Sequence, residues 1–68
     1  MTTDDFDIDD RVRVNHPGHF LHGMVATVVD RDAYTVEIRF DTVTEEMKDY
    51  TDTRKGLASV EPEHLVKL

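Results

Sequence analysis

From Tyr34 to Asp41 the chain alternates apolar and polar residues without a break, and this limits its fold more than any other feature. Tyr34, Val36, Ile38 and Phe40 fall on one side, and Thr35, Glu37, Arg39 and Asp41 on the other. A period of two belongs to a half-buried β-strand, whereas a helix would scatter both sets around its axis. Arg11-Val12-Arg13-Val14 repeats the pattern, with Val12 and Val14 turned inward. Tyr34 and Phe40 are therefore expected in the core of an all-β chain.

Turn formers divide the rest. His16-Pro17-Gly18-His19 ends the first strand, because Pro cannot continue a ladder and Gly relaxes the turn. Gly23 opens a second strand over Met24–Val29, apolar on both faces for part of its length. Asp30-Arg31-Asp32-Ala33 reads as a tight turn before the alternating strand. Residues 42–56 are irregular and polar; Thr42 with Glu45 has capping-box spacing, so one helical turn fits there. Leu57–Val60 is a short fourth strand. Glu61-Pro62-Glu63-His64 is a single helical turn, with Pro62 early, where a missing N–H costs little. Leu65–Leu68 closes the chain. The expectation is a small five-stranded barrel with a one-turn helix before the last strand.

Length and charge bound the rest. A chain of 68 residues forms at most one domain with a thin stability margin, and without cysteine no disulfide or thiolate cluster can staple it. Net charge is −7, and five Asp with no base lie in residues 1–10. The division is therefore an acidic N-terminal arm over 1–9 and a nearly balanced barrel over 10–68. Within the arm, Phe6 and Ile8 alternate with aspartates and are expected to touch the barrel or a partner. The acidic balance disfavours a phosphate backbone and suits a basic protein surface. No apolar run is long enough to span a bilayer, and Met1–Asp5 has no apolar signal core, so the expected location is the cytoplasm or a large particle such as a virion.

The order of elements resembles the SH3-like barrels of the electron-transport accessory type. These include photosystem I reaction-centre subunit IV, the variable chain of ferredoxin–thioredoxin reductase and the barrel domain of the nitrile hydratase β subunit. The residues that carry the resemblance are Asp10–Val14, His16-Pro17-Gly18-His19, Gly23–Val29, Val36–Asp41 and Val60–Leu65. The resemblance implies a non-catalytic barrel docked on a larger assembly, without a cofactor. Nucleic-acid-binding KOW modules share a similar second strand, although Ala26 stands where that motif prefers Gly. A KOW-like module is thus an alternative reading.

Candidate chemistry is sparse. His16, His19 and His22 lie three apart, and imidazoles ligate Zn, Ni or Cu, which makes a metal-binding regulatory subunit the other alternative. Structural zinc sites prefer Cys/His mixtures, so the histidines are read as polar loop residues and no metal is assigned. Asp5, Asp7 and Asp9 imitate the start of a calcium loop, but Asp10 and His16 stand where its Gly and Glu belong. Ser59 is the sole serine and has no glycine elbow. No catalytic residue is assigned. The candidate partner contacts are Phe6 and Ile8 on the arm, His16, His19, Phe20 and His22 on the first loop, and Met47, Tyr50, Arg54 and Lys55 on the long loop. Tyr50 is the expected aromatic anchor. Arg54 and Lys55 could meet the acidic arm of a second copy, giving a homo-oligomer.

Overall fold

In the computed structural model, which describes residues 3–68, five antiparallel strands form one sheet. They are β1 (Arg11–Val14), β2 (Val25–Arg31), β3 (Val36–Phe40), β4 (Leu57–Val60) and β5 (Leu65–Lys67), in the order β4-β3-β2-β1-β5. One helix, α1 (Thr51–Arg54), and 3-10 turns at Thr3–Asp5, Met47–Asp49 and Pro62–His64 complete the fold. The chain is all-β, as the alternation requires, with one turn ahead of the last strand. The outer strands β4 and β5 are consecutive in sequence and only Glu61–His64 separates them. The sheet must therefore curl to bring its two edges together.

Curling gives the sheet one dry face. Val12 and Val14 of β1, Ala26 and Val28 of β2, Val36, Ile38 and Phe40 of β3, Ala58 of β4 and Leu65 of β5 form the core. Each strand contributes alternate residues, as a pleated ribbon must. The double-sided apolar character of Met24–Val29 has a simple outcome. Ala26 and Val28 are fully buried, while Val25, Thr27 and Val29 are only partly covered on the outer face. Between Val28 and Asp30 the β2–β3 register slips, a β-bulge that bends the strand.

The alternation overreaches at its start. Tyr34 was expected in the core but is 84% exposed. The strand begins only at Val36, because Asp32 organises a turn ahead of it. One Asp32 carboxylate oxygen accepts the N–H groups of Tyr34 and Thr35, both at 2.8 Å, and the Asp32 N–H donates to the Thr35 carbonyl at 2.9 Å. These bonds hold the Asp32 carboxyl below its usual pKa, the Thr35 N–H contributing most. A local side-chain bond to the backbone has displaced the ladder.

Residues 3–9, expected as an acidic lead-in, fold onto the sheet. Phe6 is 1% exposed and belongs to the core cluster. The Arg31 guanidinium donates to the carbonyls of Thr3 and Phe6. Asp9 N–H donates to the Val28 carbonyl at 2.8 Å, and Val28 N–H to the Asp10 carbonyl at 2.9 Å. The chain reverses into β1 through Asp9 at φ 75°. The Asp10 carboxylate accepts the Asp7 N–H at 2.8 Å there, and that bond lowers its pKa. Met1 and Thr2, the first residues of the expected arm, lie outside the described residues.

Candidate functional groove

Two loops flank one end of the sheet, and both are ordered by short-range bonds. Loop 15–24 winds through successive turns: His19 N–H donates to the His16 carbonyl and His22 N–H to the His19 carbonyl, each at 3.0 Å. Two imidazoles take part. His22 Nδ1 accepts the His16 N–H at 3.0 Å, and His19 Nδ1 accepts the Leu21 N–H at 3.1 Å. An accepting Nδ1 carries no proton, so both rings are in the Nε2–H form when neutral. Leu21 is buried and anchors the loop to the core.

Loop 41–56 is held by Met47, which is 0% exposed. This corrects the expectation that Met47 is an exposed partner contact. Thr44 Oγ1 accepts the Met47 N–H at 3.3 Å, and Thr53 Oγ1 donates to the Met47 carbonyl at 2.6 Å. The turn is thus started by Thr44, not by the Thr42–Glu45 pair. A single flexible thioether closes the end of the core beneath the loop, a common use of Met. Phe6 is corrected in the same way: its buried ring leaves nothing for a partner to touch.

The turn Pro62–His64 completes the arrangement. Asn15 N–H donates to the His64 carbonyl at 2.7 Å, which brings that turn against the first loop. The His64 ring then stacks on His16, with centroids 4.1 Å apart and planes 6° from parallel. His16 stacks on His19 at 4.7 Å, His19 on Phe20 at 4.8 Å, and Phe20 on Tyr50 at 4.8 Å. Five rings from three separate segments form one continuous ladder. It lines an open groove of about 520 Å³ whose floor includes Val14, Leu21 and Ala58.

Charge is distributed unevenly along this groove. Its lining includes the carboxylates Asp52 and Glu61 and no Lys or Arg. Burial, together with the neighbouring imidazoles of His64, His19 and His22, lowers the His16 pKa. Glu61 has a raised pKa, mainly through its hydrogen bond with Glu63 and that group's charge. Ligand atoms of Glu61, Glu63 and His64 lie within 4.8 Å of one another, in reach of one cation. The loop histidines form no such set among the described residues: His16 and His19 meet face to face, and the Nδ1 atoms of His19 and His22 are occupied.

Of the expected contacts, the groove therefore gathers His16, His19, Phe20 and Tyr50. His22 supports the loop from outside it, Ile8 is 50% exposed ahead of β1, and Arg54 and Lys55 are exposed and do not line it. The sequence reading missed His64, Asp52 and Glu61. Only the Pro62 turn hinted that His64 was placed deliberately; nothing local links it to His16. Comparisons with protein-family models, curated proteins and solved structures find no match.

Proposed function

We propose that this chain is a non-catalytic binding module that docks on a larger protein assembly, with a segment of the partner lying in the groove between loops 15–24 and 41–56. The observation that carries this reading is the five-ring ladder along an open groove. Stacked rings lose little conformational freedom when covered, and they offer large contact area. An open trough of this volume suits the side chains of an extended segment better than a small substrate, which needs enclosure. The groove carboxylates Asp52 and Glu61 are exposed, which favours pairing with a cation over proton transfer.

The strand order and the turn before β5 fit the SH3-like barrels of the electron-transport accessory type, and we take the chain to be such a barrel. Members of that group are subunits of larger assemblies, in keeping with a docking role. Among the described residues no helix is long and apolar enough to cross a membrane. Residence in the cytoplasm or inside a large particle such as a virion accompanies the reading.

The two tyrosines provide the test, because both are exposed and only Tyr50 belongs to the ladder. A photo-cross-linking amino acid is placed at position 50 or at position 34 and irradiated in an extract of the native source. A discrete protein adduct from position 50 alone is expected. No adduct there, or the same adducts from both positions, would overturn the proposal.

A further inference from the structure

The ladder is closed along its length and open at its ends. His16, His19 and Phe20 each stack against two rings, whereas the end rings, His64 and Tyr50, each stack against one. Tyr50 stacks on Phe20 alone and is 54% exposed. Its outer face is a free π-surface next to the groove. A flat group laid on that face would extend the ladder by one rung. Asp52, two residues along the chain, lines the same groove, and no basic side chain of the lining competes for its carboxylate.

A planar face in a groove lined by carboxylates and by no Lys or Arg selects for a group that is itself planar and cationic; Lys55 shares a separate hollow with Asp52. Guanidinium meets both requirements. It stacks on aromatic faces, is weakly hydrated, and offers several N–H donors to one carboxylate. An ammonium has the charge but not the plane, and it holds its water more tightly. A neutral aromatic has the plane but leaves Asp52 unpaired.

Resting on the binding-module reading above, we propose that the occupant of the groove is a partner-protein segment bearing an arginine, its guanidinium stacked on the outer face of Tyr50 and paired with Asp52. The charge of the chain, −7 overall, favours the approach of such a basic segment. The stacked face and the Asp52 carboxylate then decide where the arginine settles.

Three end-blocked pentapeptides in a Gly/Ser frame test this, with a central arginine, lysine or citrulline. Citrulline keeps the planar shape and loses the charge. Each is titrated into the full chain labelled with 15N. The arginine peptide is expected to shift the amides of Phe20, Tyr50 and Asp52 in a saturable way. The citrulline peptide should bind about tenfold more weakly, the size of one partly exposed cation–π contact with one exposed ion pair. Lysine should fall between them. Asp52→Asn should bring the arginine and citrulline peptides close to parity, and Tyr50→Leu should weaken arginine binding by several-fold. Both positions are exposed, so neither change threatens the core.

Arginine and citrulline binding the groove alike would overturn the arginine inference and leave the binding-module reading standing. So would shifts confined to the acidic residues 4–10, or no shift at all with the arginine peptide. A concentration-dependent dimer abolished by Arg54→Ala would assign the groove to a second copy and overturn it too. Failure of the position-50 cross-link is the separate result that removes the binding-module reading itself.

Discussion

Replacing Phe6 by Ala tests whether the acidic N-terminal segment is part of the folded unit. The ring is 1% exposed and sits among core residues of the sheet. Loss of a buried Phe ring costs ~3–5 kcal/mol, the sum of lost transfer energy and the cavity left behind. The segment can also peel away, which caps the loss at what holds it down. Besides the ring, that is the Arg31 guanidinium on two carbonyls and the Asp9–Val28 backbone bond. Such bonds are worth about 1 kcal/mol each in net terms. Once the ordering entropy of the segment is set against those terms, the expected cost is about 3 kcal/mol, the lower end of the range for a buried Phe. A chain of 68 residues at ~0.05–0.15 kcal/mol per residue has roughly 3–10 kcal/mol in all. The substitution thus removes a third or more of the margin. Urea unfolding followed by circular dichroism reads this directly. With a slope of about 1 kcal/mol/M, as in the smallest domains, the midpoint falls by about 3 M, or the variant is already unfolded. Ile8→Ala, at a position 50% exposed, is the control and should stay within about 0.5 kcal/mol of the parent. A Phe6→Ala midpoint within about 0.5 M of the parent would refute the reasoning, because the segment would then be a detached arm.

Thr53→Val keeps the shape of a buried residue and deletes the hydroxyl that donates to the Met47 carbonyl at 2.6 Å. It should cost about 1 kcal/mol in chemical denaturation and increase amide exchange over residues 47–54. Gly56→Ala would set its Cβ in ordinary van der Waals contact with Val43 Cγ2 at 3.7 Å, so space is no obstacle, yet the backbone there has φ +81°. A left-handed alanine costs about 1–2 kcal/mol, and a neutral result would show that the turn relaxes. The His16 pKa is lowered in the folded state, so the unfolded chain binds the extra proton first. Stability from this group is present in full above the ordinary histidine value of 6.5, falls as pH drops below it, and levels off beneath the folded pKa. An imidazole NMR titration placing His16 above 6.5, or unfolding midpoints that do not change from pH 7.5 to 5, would contradict this.

The sheet was legible in the sequence because period-two burial is a local signal, repeated at every second residue of β1 and β3. It failed at Tyr34, where the pattern runs on but an aspartate turn ends the ladder. Met47 was misjudged, and Phe6 left open between barrel and partner, for another reason. Each is a lone apolar residue in a polar stretch, and a single residue has no period to reveal the face it occupies. In a core this small, such isolated side chains close the open ends of the sheet. The groove was half legible. His16, His19, Phe20 and Tyr50 drew attention as exposed rings near turns, yet their stacking could not be seen. It depends on His64, which reaches His16 only because the last turn is hydrogen-bonded to Asn15. Spacing offered an ion site at the loop histidines only as an alternative to plain polar loop groups. Bonds from backbone N–H groups to two of their ring nitrogens made them loop braces instead.

The pairing of β1 with β5, Val12 beside Lys67 and Val14 beside Leu65, joins opposite ends of this sequence. A chain that stops before Leu65 leaves that flank of β1 open. During synthesis the first strand must therefore wait for the last, so these residues assemble after translation has passed Lys67 and not progressively behind the ribosome. Contacts so distant along the chain also slow the search, toward the millisecond-to-second range of β-rich domains. An engineered stop codon before Leu65 should leave a protease-sensitive chain, not a slightly weaker copy of the same protein.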